Sequence, residues 1–165
     1  MKPGIISLLI AAFILAGCSA SSSTAKKEKA AADYENTAAL IESGNYMFTI
    51  RSASPSGGRT IQITSHYALK AAEGTYEAYL PYFGRAYSGA YGDSGGIEFN
   101  GEPENLTITR DDNKMRISVN FAIQSEKDKY TVSLDVSSSG MGILVIASQK
   151  RQSISYAGQC GELKD

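Results

Sequence analysis

The sequence is poor in the residues that build reactive centres: among its 165 residues it has one histidine, His66, and two cysteines, Cys18 and Cys160. So few imidazoles and thiols give no basis for a zinc site. Cys160 has no second cysteine in the body of the chain, so it cannot staple the fold internally and reads as a free thiol near the C-terminus. No glycine-rich loop is followed by a Lys-Ser/Thr pair, which leaves no phosphate cradle. Asp111-Asp112-Asn113 lacks the later ligands and final glutamate of a calcium loop. Neither a metal nor a cofactor is expected. The formal net charge is −1 and basic residues form no stripe, so nucleic acid is not an expected partner.

Long apolar runs are also missing. The most apolar stretch, Ile5 to Ala16, follows a single charge at Lys2 and is too short to span a ~30 Å hydrocarbon core. It has the form of a signal peptide. It ends in Leu15-Ala16-Gly17-Cys18, which resembles a bacterial lipobox. That resemblance implies cleavage before Cys18 and lipidation of its sulfur, hence a membrane partner reached through a lipid anchor rather than a spanning helix. The expected organisation is a signal peptide over 1–17, a lipidated tether over 18–32 and one domain over 33–165.

Residues 19–32, SASSSTAKKEKAAA, contain no large apolar group and read as a tether. From Ala30 the pattern is helical, with Tyr34, Ala38 and Ile41 on one face and Gly44 as a left-handed cap. The period then falls to two. Tyr46, Phe48 and Ile50 form one inward set, and Ile61, Ile63, Tyr67 and Leu69 a second. Leu106 and Ile108 follow, then Ile117 to Ile123, Tyr130 to Val136, and Ile154 with Tyr156. Polar turns at 55–58, 111–114, 126–129 and 137–140 separate the later strands. The unbroken apolar run Gly142 to Ala147 predicts a central strand covered on both faces. The fold class is therefore α+β, mostly β: an N-terminal helix followed by an antiparallel meander, as a curled sheet or a small barrel.

Gly92-Asp93-Ser94-Gly95-Gly96 also surrounds the nucleophile of chymotrypsin-like proteases. A triad needs a base and an acid that orients it. The one histidine, His66, is expected on the solvent face of its strand, and the only aspartate between it and Ser94 is Asp93, inside the motif itself. The segment is better explained as a turn leading into a short strand, Ile97-Glu98-Phe99. A hydrolase of envelope material with Ser94 as nucleophile is the alternative it leaves, and no catalytic residue can be named with a partner.

Five of the ten tyrosines crowd into TYEAYLPYFGRAYSGAY, residues 75–91. Rings with polar tips suit recognition, and a guanidinium fork suits a carboxylate or sulfate. Tyr79, Tyr82, Phe83, Arg85, Tyr87 and Tyr91 are the candidate contacts for a ligand or partner. The other reading is that Leu80, Tyr82 and Phe83 plug one end of the sheet. Leu80-Pro81-Tyr82-Phe83-Gly84-Arg85-Ala86-Tyr87, together with Gly95-Gly96-Ile97-Glu98-Phe99 and Arg151-Gln152-Ser153-Ile154-Ser155-Tyr156-Ala157-Gly158, resembles an uncharacterised family of Bacteroidota lipoproteins, a domain of unknown function. The resemblance implies a cell-envelope location, in the outer membrane, with the periplasmic and surface faces both open. It brings no activity or ligand with it. The sequence thus points to a non-enzymatic envelope module that uses a tyrosine-rich loop to bind a small ligand or an envelope protein, or to a structural subunit of a lipoprotein complex.

Overall fold

The computed structural model describes residues 21–85, 95–126 and 128–163, with side chains from Thr24 onward. One helix, α1 (Ser21–Glu42), precedes ten strands: β1 (Tyr46–Pro55), β2 (Ile61–Gln62), β3 (Ala68–Ala72), β4 (Thr75–Leu80), β5 (Ile97–Gly101), β6 (Glu104–Asp111), β7 (Arg116–Gln124), β8 (Lys129–Ser137), β9 (Met141–Ser148) and β10 (Ile154–Glu162). The strands form one antiparallel sheet in the order β5-β4-β3-β1-β10-β9-β8-β7-β6, with β2 as a short branch on β1. The sheet curls into a half-barrel. Across its hollow the two wings meet: the rings of Tyr76 on β4 and Phe121 on β7 lie 4.3 Å apart, and those of Phe99 on β5 and Tyr130 on β8 lie 5.9 Å apart.

Much of the inward set predicted from alternation lies in the core: Tyr46, Phe48, Leu69, Val119, Leu134 and Tyr156 are buried there, joined by Leu80, Leu144 and Ile146. The hollow is filled by aromatic rings and branched side chains, as interiors of small barrels are. Deep inside, the Tyr46 and Tyr76 rings stand edge to face with their hydroxyls 3.4 Å apart. Burial raises the pKa of both phenols above the ordinary tyrosine value.

Helix α1 closes one end of the half-barrel. Tyr34, Ala38 and Ile41, spaced four and three apart, put one apolar stripe on the core. The Tyr34 hydroxyl donates to Asp112 Oδ1 at 2.8 Å and the Thr37 hydroxyl donates to the Ser138 carbonyl at 3.0 Å, tying the helix to two turns. Arg110 on β6 stacks over Tyr34 and bonds Glu35 at 2.6 Å. Gly44, at φ 70°, ends the helix as its sequence predicts. The helix starts earlier than the apolar period: residues 21–29 are helical although they bury nothing described. Ala, Lys and Glu are strong helix formers, and an exposed extension of a docked helix needs no apolar face. All described core residues lie between Tyr34 and Cys160, so a chain beginning at Ser21 retains the whole core.

Three strand expectations need correction. β9 is covered on one face only: Met141, Ile143 and Val145 are 58%, 53% and 38% exposed, while Leu144 and Ile146 face the core. Its continuous apolar run reflects an apolar outer surface rather than a second layer. Leu106 is exposed because β6 is the edge strand and its register with β7 slips between Glu104 and Thr107. Of the second inward set only Leu69 is buried: Ile61, Ile63 and Tyr67 are half-buried, since β2 is two residues long and β3 begins only at Ala68.

Candidate functional site

β4 alternates cleanly until Pro81 ends its pairing. Tyr76, Ala78 and Leu80 point inward; Glu77 and Tyr79 point outward. The chain then runs across the end of the half-barrel opposite α1, where the loop between β9 and β10 also lies. Tyr82 turns back toward that loop, and its hydroxyl shares its proton between the carbonyls of Arg85 and Gln152, each 2.9 Å away. The Gln152 amide donates to the same Arg85 carbonyl at 3.0 Å. Arg151 lies 5.3 Å above the Tyr82 ring, and its Nη1 donates to the carbonyls of Gly95 at 2.9 Å and Gly96 at 3.3 Å. The Tyr156 hydroxyl donates to the Pro81 carbonyl at 2.8 Å. Burial raises the Tyr156 pKa, so the phenol keeps the proton this bond needs.

Two glycines permit this closure. A Cβ at Gly84 would collide with the Tyr82 hydroxyl, and a Cβ at Gly96 would collide with the Leu80 carbonyl. The second collision is with backbone, so it could be relieved only by parting β4 from β5. The three sequence stretches that looked distinctive therefore meet at one corner. Around Tyr82 they form a closure of the barrel end.

A family model matches residues 28–160. The chain belongs to this family, DUF4251, a domain of unknown function. A crystal structure of a DUF4251 family protein from Bacteroides eggerthii DSM 20697 is similar in fold, with a TM-score of 0.63. The two sequences are 17% identical, and the match covers 80% of this chain and 89% of that one. No curated protein matches. The sequence resemblance to an uncharacterised Bacteroidota family agrees with both findings, and at this identity the DUF4251 crystal structure speaks for the fold alone.

The DUF4251 domain separates the candidate contacts that the sequence grouped together. Tyr82 is a structural pin. Phe83 is 43% exposed and Arg85 is exposed, its carbonyl held in the closure. Tyr87, Tyr91 and Ser94 lie outside the described residues, as does Cys18. Tyr79 stands apart on the outer face, 58% exposed, with its ring 6.1 Å from that of Tyr67 and tilted by 36°. These two rings form part of a groove of about 550 Å3 across β1, β3 and β4, which His66, Lys70, Glu77 and Thr49 also line. Lys70 and Glu77 sit opposite one another in register, yet neither makes an ion pair among the described residues. The groove thus offers an aromatic wall and a half-buried hydroxyl, with an imidazole, a cation and an anion open to solvent. Sequence reasoning found Tyr79 but missed the others. Nothing in the sequence singles out Lys70 or Glu77, and only the pairing of β3 with β4 brings them together.

Cys160 faces the core at 6% exposure, where burial pushes its thiol up to about 11. A thiol so protonated and covered is a poor nucleophile.

Proposed function

We propose that this DUF4251 domain is a cell-envelope lipoprotein, anchored through Cys18, that binds a small ligand or a protein segment in the groove centred on Tyr79. One observation carries the reading: an exposed tyrosine ring braced by Tyr67 beside a lysine and a glutamate that have no ion-pair partners among the described residues. Exposed aromatic surface with convergent polar groups is what recognition sites use, and the groove lies within the ~300–1,000 Å3 range of small-molecule sites. The lipobox-like Leu15-Ala16-Gly17-Cys18 supports the anchor. Binding, rather than turnover, fits a described surface whose one cysteine is buried and whose one histidine has no described hydrogen-bonding partner.

The test is a thermal-shift screen of neutral oligosaccharides, short peptides and amino acids against the chain from Ser21, repeated on Tyr79→Ala and Lys70→Ala. Hits that vanish in both variants, with the melting temperature of the free protein unchanged, support the groove. Hits that persist in both, or a screen without hits, refute it. In cells, Cys18→Ser is expected to move the protein from the membrane to the soluble fraction. Retention on the membrane would refute the anchor.

A further inference from the structure

We propose that the N-terminal arm of α1, Ser21 to Lys29, rests on an anionic lipid surface through Lys26, Lys27 and Lys29. The proposal rests on the reading of Cys18 as the lipid anchor. Helix α1 begins at Ser21, three positions after Cys18. The lysines lie ~8 to 12 Å along the helix axis from Ser21, and three residues of chain reach at most ~11 Å. A lipid on Cys18 therefore keeps all three within ~25 Å of the headgroups, and a tilt of the helix brings them into contact. The arm is stiff. One unbroken helix carries it into the docked turn at Tyr34, where the bonds of Tyr34 to Asp112 and of Thr37 to Ser138 fix the axis against the domain.

All three lysines are exposed, and none makes an ion pair among the described residues. At ~100° per residue they cover less than half of the helix circumference, and Glu28 points the opposite way. Asp33, the acid nearest to their side, lies a turn closer to the domain. The rest of the chain has the other sign: residues 30–165 carry 12 basic and 16 acidic side chains. Helix stability does not select this arrangement. The macrodipole favours carboxylates at the start of a helix and bases at its end. Here the first turn holds no acid, the last turn holds no base, and Glu42 ends the helix. Positive charge gathered next to an anchor, on a chain otherwise negative, is complementary to an anionic surface. Each lysine that reaches such a surface adds roughly fivefold to binding, and the attraction fades beyond ~8 Å at physiological salt.

The test uses the chain from Cys18, alkylated at Cys18 with one chain of myristoyl length; buried Cys160 is spared. A single such chain holds a protein to a membrane only marginally, so a second contact changes the partition measurably. Cosedimentation is expected to show at least about tenfold tighter binding to vesicles with about one-third phosphatidylglycerol than to vesicles of phosphatidylcholine alone. That gain should vanish in about 1 M NaCl. It should vanish too in the triple variant Lys26→Gln, Lys27→Gln, Lys29→Gln, whose melting temperature should match the wild type because these side chains are exposed. Equal binding to both vesicles overturns the proposal, as does a gain that the triple variant keeps. Self-association of the unalkylated chain that the triple variant loses would assign the lysines to a second copy, and equally overturn it. The acyl chain is attached chemically, so none of these outcomes bears on the natural anchor, which Cys18→Ser tests separately.

Discussion

Replacing Arg151 with methionine tests whether the barrel end is held by that side chain. The substitution keeps most of the apolar stem and removes the guanidinium. Lost with it are the bond to the Gly95 carbonyl at 2.9 Å, the longer one to Gly96 at 3.3 Å, and the stack on Tyr82 at 5.3 Å. A bond from a charged donor contributes about 1.5–3 kcal/mol, and a ring contact about 0.5–1 kcal/mol where solvent reaches it. Arg151 is half-buried, and water will take over part of what is lost. The expected destabilisation is therefore about 2 kcal/mol, which for a domain of this size is a drop of about 4–8 °C in melting temperature. Arg151→Lys should recover less than half, since one ammonium cannot span both carbonyls and the ring. Amide exchange adds a local readout: Ile97 to Phe99, which pair with β4, should exchange faster in Arg151→Met, while β7 and β8 should not. Denaturant unfolding of Arg151→Met within about 0.5 kcal/mol of wild type would refute the reasoning, that being the usual effect of a surface change away from any such feature.

Two further expectations follow from burial. Cys160 stays protonated in the fold up to about pH 11, whereas the exposed thiol ionises from its ordinary value of 9.0. Below pH 9 the thiol contributes no pH dependence; between pH 9 and 11 the unfolded chain loses its proton first, and stability should fall by about 1.4 kcal/mol per pH unit. The buried tyrosines add losses of the same sign, so Cys160→Ala should flatten the alkaline melting curve only in part, and an unchanged curve would contradict the assignment. Gly96→Ala should cost about 3 kcal/mol, more than an ordinary surface glycine substitution, because its Cβ meets the Leu80 carbonyl; equilibrium unfolding with a loss under about 1 kcal/mol would show that β5 can shift freely.

Much of this fold was legible because period-two alternation is a direct imprint of a sheet with one buried face. Tyr130, Val132, Leu134 and Val136 need no tertiary information to be placed inward. Alternation is silent about neighbours, though. Nothing local says that Tyr46 lies opposite Glu162, since that pairing joins the two extremes of the sheet-forming chain. The run Gly142 to Ala147 misled for a related reason: an apolar outer position looks the same in sequence whether protein or solvent lies above it. The candidate site was half legible. Tyrosine density drew attention to residues 75–91, but composition cannot separate Tyr82, whose hydroxyl is consumed by two carbonyls, from Tyr79, whose ring faces water. Arg151 opens one of the stretches that carry the family resemblance, but its role in organising the barrel end becomes visible only when the loops meet.

The pairing of β1 with β10 sets the order in which the molecule can assemble. Both strands lie in the middle of the sheet, and each holds one wing to the other. The wing of β6 to β9 and the wing of β3 to β5 can form hairpins by local contacts, but the hollow that buries Tyr46, Phe48 and Tyr156 exists only once the last strand is in place. Closing so long a loop is slow compared with hairpin formation. A chain still emerging, or one truncated before Gly158, would present two separate apolar half-sheets. Completion of β10 is thus the committing step, because only then do the two half-sheets share one interior.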